Sequence, residues 1–241
     1  MLVDAHVHLG GPDAGDGATQ SEQELLERMR RAGVELAVAF PFNDADAGEC
    51  FTASNRRLAE VQRRCEEIVC FARLDPNSTR VLEAAREAVE VLGLRGFKLH
   101  PTAQGFTPSH PMVAEILELA GELGAPVVFD NGKRESPNLE IAKVAEQVPE
   151  AKVILAHIRG EHVLEACESS GVYLGTVKAP PERVEEAVER LGAERVIAGS
   201  DAPYASMRYE MVEKFEQLDT LSSRDRRLIL GENMLGLLPH P

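Results

Sequence analysis

Two histidines stand one residue apart in Val3-Asp4-Ala5-His6-Val7-His8, at the end of the chain's first apolar run. Successive side chains of a strand point to opposite faces, so His6 and His8 project to one side, roughly 6–7 Å apart at their backbones. Imidazoles at that spacing can converge on one metal ion; the plainer reading is a pair of partly buried core histidines. Other residues with chemistry recur where later apolar runs stop. Arg73 lies at the end of Ile68–Leu74, and Lys98 and His100 at the end of Leu94–His100. Asp130 closes Pro126–Asp130, His157 closes Val153–His157, and Asp201 follows Arg195–Ser200. Most of these are metal-ligating or titratable types. A chance scatter of polar residues would not respect the run ends so regularly, and the pattern predicts a metal-centred site.

The runs that must position these residues alternate with helical periods along the whole chain. Val34–Phe40 and Val172–Thr176 complete a set of eight β-rich runs. Between them lie helical patterns. Ser21 with Glu24 three residues later reads as a capping box, Ser78 as the cap of a helix carrying Val81, Ala85 and Val89, and Pro180-Pro181 as a helix start. Further helices are expected near Ala53–Glu67, Met112–Leu123, Leu139–Gln147, Glu161–Glu168, Met207–Leu218 and Arg224–Leu235. Eight strands each followed by helix argue for an α/β fold, a single (β/α)₈ TIM barrel spanning 1–241. An open doubly wound sheet is the runner-up, but no G-x-G-x-x-G opens a helix. Active sites of such barrels sit where strands end and loops begin, which is where the candidates fall.

Composition narrows the partners. A formal net charge of −14 repels nucleic acid and anionic membranes, and small polar substrates suit it better. No apolar stretch is long enough to span a bilayer, and no signal peptide is read at the start of the chain. Cys50, Cys65, Cys70 and Cys167 form no C-x-x-C pair, which points to reduced thiols and a cytoplasmic protein, with a disulfide between some pair left open. The expected partner is therefore a small-molecule substrate, with no nucleic acid and no membrane; self-association into a homo-oligomer stays open.

The segments DAHVH, GFKLHP, VILAH and GSDAPY, with ILGENMLGLL near the end, resemble the amidohydrolase superfamily, and more narrowly its amidohydrolase-2 branch of decarboxylases and lactone hydrolases. The resemblance covers nearly the whole chain in the expected order. It implies that His6 and His8 bind a metal, that Asp201 completes the site, and that His157 lies beside it to polarise substrate or steer a proton. One departure stands out. The branch normally ends its fifth strand in a metal-binding histidine, and here Pro126-Val127-Val128-Phe129 ends in Asp130. Asp130 is expected as a fourth ligand, with a loop-capping role before Asn131-Gly132 as its rival. Two carboxylates would neutralise one divalent ion, Zn²⁺ first, with Mn²⁺ brought within range.

The expected reaction is metal-assisted hydrolysis of a small, carboxylate-bearing lactone, amide or ester, with Asp201 as general base and His157 as oxyanion stabiliser or acid. Substrate contacts are expected from Arg73, Lys98, His100, Arg159 and Tyr204, with Lys133 and Arg134 adding charge at the rim. The bland alternatives are a structural ion pair for Arg73, a loop hydrogen bond for His100, packing for Tyr204 and solvated loop charges for the rest. A non-hydrolytic decarboxylase is the close rival reaction. A TatD-like nuclease, which GSDAPY also suggests, would need a glutamate where Lys98 stands and would have to bind a polyanion. A non-catalytic metabolite-binding barrel with a degraded metal site is the third class.

Overall fold

A computed structural model describes residues 1–239. Its strands are short and parallel: β1 (Val3–Leu9), β2 (Leu36–Pro41), β3 (Ile68–Cys70), β4 (Ala72–Arg73), β5 (Phe97–Leu99), β6 (Val127–Phe129), β7 (Val153–Leu155), β8 (Tyr173–Gly175) and β9 (Val196–Ile197), with sequential neighbours paired from β1 to β3 and from β4 to β9. β3 and β4 are two halves of the expected third run, parted at Phe71, whose amide still donates to Ala39 O at 3.0 Å. The last strand returns to the first. Ala5 N donates to Ala198 O (3.0 Å), Asp201 N to His6 O (2.8 Å) and His8 N to Ala202 O (2.8 Å). The sheet thus closes as a (β/α)₈ barrel, the expected class.

Strand alternation divides the core into two layers. Val7, Ala37, Phe97, Val127, Leu155 and Val196 point outward under the helices, while Val38, Phe40, Phe71, Val128, Ile154 and Ile197 fill the barrel. β1 breaks step. Its pairing with β2 shifts register between Asp4 and Val7, so Val3 and Ala5 sit in the interior cluster and His6 and His8 face inward too. An extra residue at a bulge switches the parity of a strand. The two histidines lie on the far side of that switch, where plain alternation resumes.

Local sequence explains most helix boundaries. The helix Glu22–Ala32 is opened by the Ser21–Glu24 capping box and closed by Gly33 at φ +71°. Pro181 occupies the first turn of Pro181–Leu191, where its missing N–H costs nothing. Ser78 departs from expectation. The helix runs Val81–Glu90 with Arg80 at the cap, and the Ser78 hydroxyl accepts from Arg80 N (3.2 Å) in the turn before it. The expected helix Met207–Leu218 widens into a π turn at Tyr209–Glu213 before Lys214–Glu216, and the closing helix does the same at Leu228–Glu232. All four cysteines are free and buried. Among the described residues no helix is long and apolar enough to cross a membrane.

Candidate active site

His6 and His8 reach from β1 to meet Asp201, which follows β9. His8 Nε2 lies 3.0 Å and His6 Nε2 3.6 Å from Asp201 Oδ1. One ligand atom from each of the three lies within 4.8 Å of the others, the one such group found among the described residues. Two imidazoles and a carboxylate at these separations fit the ligand shell of a divalent ion bound at about 2.0–2.2 Å. The backbone is shaped for the encounter. A Cβ added at Gly199 would sit 2.8 Å from His6 Cβ, and Asp201 itself holds a left-handed φ of +65°. Asp4 ties the two segments together, its Oδ1 accepting from His6 N (3.1 Å) and Ser200 N (2.9 Å).

Electrostatics favour ligation. Burial opposes ionisation of Asp201, but the His8 hydrogen bond, the neighbouring histidines and Lys178 together hold its pKa well below the usual carboxylate range. Lys178 Nζ grips the second oxygen, Oδ2, at 2.6 Å. Burial, reinforced by Lys98, drives the His6 pKa well below its ordinary value, which leaves that ring neutral with a lone pair to offer.

Asp130, expected as the fourth ligand, is not part of this group. Its Oδ2 accepts from Arg159 Nη2 (2.7 Å) and faces His157 Nε2 (3.2 Å) and His100 Nε2 (3.6 Å), while Oδ1 pairs with Lys133 Nζ (3.0 Å). Burial works against its charge, yet the His157 contact and the surrounding positive groups hold its pKa well below the ordinary value. His157 Nδ1 lies 3.3 Å from Val177 O, so both ring nitrogens face acceptors. A doubly protonated ring satisfies both and a neutral ring only one; burial lowers the His157 pKa against the pull of Asp130. His100 serves partly locally, its Nδ1 accepting from Ala103 N (3.2 Å) at the start of the short helix Pro101–Gln104. Burial outweighs Asp130 and pushes its pKa down to about 3.

The remaining candidates line a cavity of about 500 Å³ above the metal-capable group. Lys98 is buried, its Nζ 3.5 Å from His6 Nε2 and 5.0 Å from the Phe40 ring centroid, and burial pushes its pKa down to about 7. Arg73 is 2% exposed; Nη1 reaches Pro41 O (3.5 Å), but Nε and Nη2 have no hydrogen-bond partner in the protein. Tyr204 stands at the mouth, its ring 5.4 Å from that of His8 and 5.3 Å from Lys178 Nζ. Five basic side chains (Arg73, Lys98, Lys133, Arg159 and Lys178) face three carboxylates (Asp13, Asp130 and Asp201) around this cavity. The site is locally basic on a chain of net charge −14. Sequence reasoning missed Lys178 and Asp4. A loop lysine two positions past a strand carries no distinguishing signal, and Asp4 is separated from Ser200 by nearly the whole chain.

The amidohydrolase-2 family model, described as amidohydrolase, matches residues 3–238. The chain belongs to the amidohydrolase family. Among curated proteins no relative matches it by sequence. Solved structures do. 2,6-Dihydroxybenzoate decarboxylase from Rhizobium is 16% identical, with 98% of each chain covered and a TM-score of 0.77. 5-Carboxyvanillate decarboxylase from Sphingomonas paucimobilis is 13% identical, with 98% of each covered and a TM-score of 0.79. A putative 2-pyrone-4,6-dicarboxylic acid hydrolase from Pseudomonas putida is 19% identical over 98% of this amidohydrolase and 96% of that chain, at a TM-score of 0.71. At these identities the likeness establishes a shared barrel.

Proposed function

We propose that this amidohydrolase is a metal-dependent hydrolase of a small, carboxylate-bearing lactone, ester or amide. The observation that carries the reading is the His6–His8–Asp201 donor group on the floor of a cavity ringed by basic side chains. A divalent ion there, Zn²⁺ or Mn²⁺, would supply Lewis acidity toward a carbonyl and lower the pKa of water; one of the similar structures, a dihydroxybenzoic acid decarboxylase from Polaromonas, has manganese bound. Asp201 keeps a charged carboxylate beside the reacting centre and is the base that accepts the proton of the attacking water. Lys178 orients that carboxylate through Oδ2. His157, held between Asp130 and Val177, faces the developing oxyanion or the leaving group. Arg73, with two buried N–H-bearing nitrogens unpaired, and Lys98 bind the substrate carboxylate.

Decarboxylation is the second reading, supported by the decarboxylases among the similar structures. Purified protein loaded with Zn²⁺ or Mn²⁺ and incubated in H₂¹⁸O with 2-pyrone-4,6-dicarboxylate, 2,6-dihydroxybenzoate and related lactones and amides separates them. Hydrolysis places ¹⁸O in the organic product; decarboxylation releases CO₂ and leaves the organic product unlabelled. A protein that takes up neither metal and turns over none of the panel would refute both and leave a binding barrel.

A further inference from the structure

Behind the cavity wall, outside the groups that face substrate, lies a fully buried ion pair. Lys214 is 0% and Glu210 5% exposed, four residues apart, across the end of the π turn Tyr209–Glu213. Lys214 Nζ donates to Glu210 Oε2 and to Thr176 O (2.9 Å), and the same Glu210 oxygen accepts from Lys178 N (3.1 Å). Both side-chain hydrogen bonds that leave the pair therefore go to the loop that follows β8. That loop bears on both catalytic candidates. Val177 O faces His157 Nδ1 at 3.3 Å, and Lys178 Nζ holds Asp201 Oδ2 at 2.6 Å. Lys178 takes a left-handed φ of +54°, a conformation a lysine adopts at a cost and keeps only when its surroundings hold it.

We infer that the Glu210–Lys214 pair is a positioning device: it clamps residues 176–178 from behind so that Val177 O aims His157 and Lys178 aims Asp201. A buried ion pair gives little net stability against an apolar pair of the same volume, because desolvation offsets its attraction. What an apolar pair cannot do is fix Thr176 O and Lys178 N through two directed hydrogen bonds. The π turn serves the same end. It widens the helix by one residue where the pair lies, and such turns recur at functional sites. This deepens the hydrolase reading and rests on its assignment of roles to His157 and Asp201.

The test reads the loop and the histidine directly, without turnover. In the full-length protein, hydrogen exchange followed by NMR should find the Lys178 amide strongly protected although the residue is exposed; a freely exchanging Lys178 amide overturns the inference in the wild type alone. Side-chain ¹⁵N spectra at pH 7 then compare wild type with Glu210→Gln and with the double variant Glu210→Leu/Lys214→Met, which leaves no buried charge unpaired and is expected to fold. The His157 signal, assigned from its loss in His157→Gln, should shift from its wild-type pattern toward the Nε2-protonated tautomer, whose N–H keeps Asp130 as acceptor once Val177 O no longer fixes Nδ1. Lys178 amide protection should fall at least tenfold, and signals of His110 and His162 should stay in place. A folded variant that keeps the wild-type His157 pattern and Lys178 protection shows the pair to be structural only. Because neither readout needs substrate, failure of the hydrolase assay and failure of the positioning role are told apart.

Discussion

Replacing Gly199 by alanine should weaken metal binding while leaving the barrel folded. The new Cβ would lie 2.8 Å from His6 Cβ, 3.1 Å from Val177 Cγ2 and 3.2 Å from His6 N. Carbon atoms pack at about 3.5–4.0 Å, so His6 must retreat by roughly 0.7–1.2 Å. Neighbouring backbone cannot yield cheaply, because His6 O accepts from Asp201 N and His6 N donates to Asp4. Overpacking of this kind costs about 1–3 kcal/mol of stability. Disturbing the support of a metal ligand costs about 10–100-fold in affinity, which removes roughly 1.4–2.7 kcal/mol of the stabilisation that saturating metal provides. Competition titration of Zn²⁺ against a chromophoric chelator reads the affinity, and thermal melts with and without Zn²⁺ read the linked stability. Gly236→Ala is the control. Nothing lies within 4 Å of its added Cβ in the helix Asn233–Leu237, so it should gain about 0.5–1 kcal/mol and leave affinity unchanged. A Gly199→Ala protein with wild-type affinity and a wild-type metal-dependent rise in Tm would refute His6 as a ligand.

Asp130→Asn separates ligation from orientation. Zn²⁺ affinity should stay within a few-fold of wild type, whereas Asp201→Asn should lose it; equal losses would restore Asp130 to the ligand set. The same variant has an acid signature. Because the folded carboxyl titrates below its unfolded value of about 3.9, its contribution is present above that pH and is lost as pH falls below it. Asp130→Asn should flatten the fall of urea stability below about pH 4 by up to roughly 1.4 kcal/mol per pH unit, and parallel slopes would contradict the charge network. At the alkaline end the sign reverses. Burial pushes Cys50 up to about 11 and Cys167 up to about 12, so these thiols stay protonated in the fold while the unfolded chain ionises from about pH 9. Stability should fall from about pH 9 upward, and Cys167→Ala should make that fall shallower in denaturant melts across pH 8–11. Finally, Arg73→Met should raise KM roughly 10–100-fold for whichever carboxylate the substrate panel identifies, and leave the corresponding neutral ester unaffected.

How far the site could be read in advance followed from where its information lies along the chain. His6, His8, Lys98, Asp130 and Asp201 were legible because strand periodicity is local, and a barrel places strand ends at one rim. Even there the reading succeeded through a compensation. β1 is not a uniform strand: its register shifts between Asp4 and Val7, yet His6 and His8 both line the cavity, so their shared face survived. A bulge falling between them would have put one ring under the helices. The partners of each side chain were not legible, since they depend on loop paths. Asp130 sits where a metal-binding histidine is expected, yet Arg159, Lys133 and His157 converge on it from two loops and a neighbouring strand end. Its type alone fits either environment. Glu210 and Lys214 were harder still. An i, i+4 acid–base pair on a helix is the signature of a solvated face, and nothing local says that this one is sealed beneath the β8 loop. The local signal and the tertiary role point in opposite directions at that pair. Such conflicts concentrate where a fold has given up local preference to hold a functional geometry, which is the physical reason to look for the site's control behind Lys178 as well as in the cavity it faces.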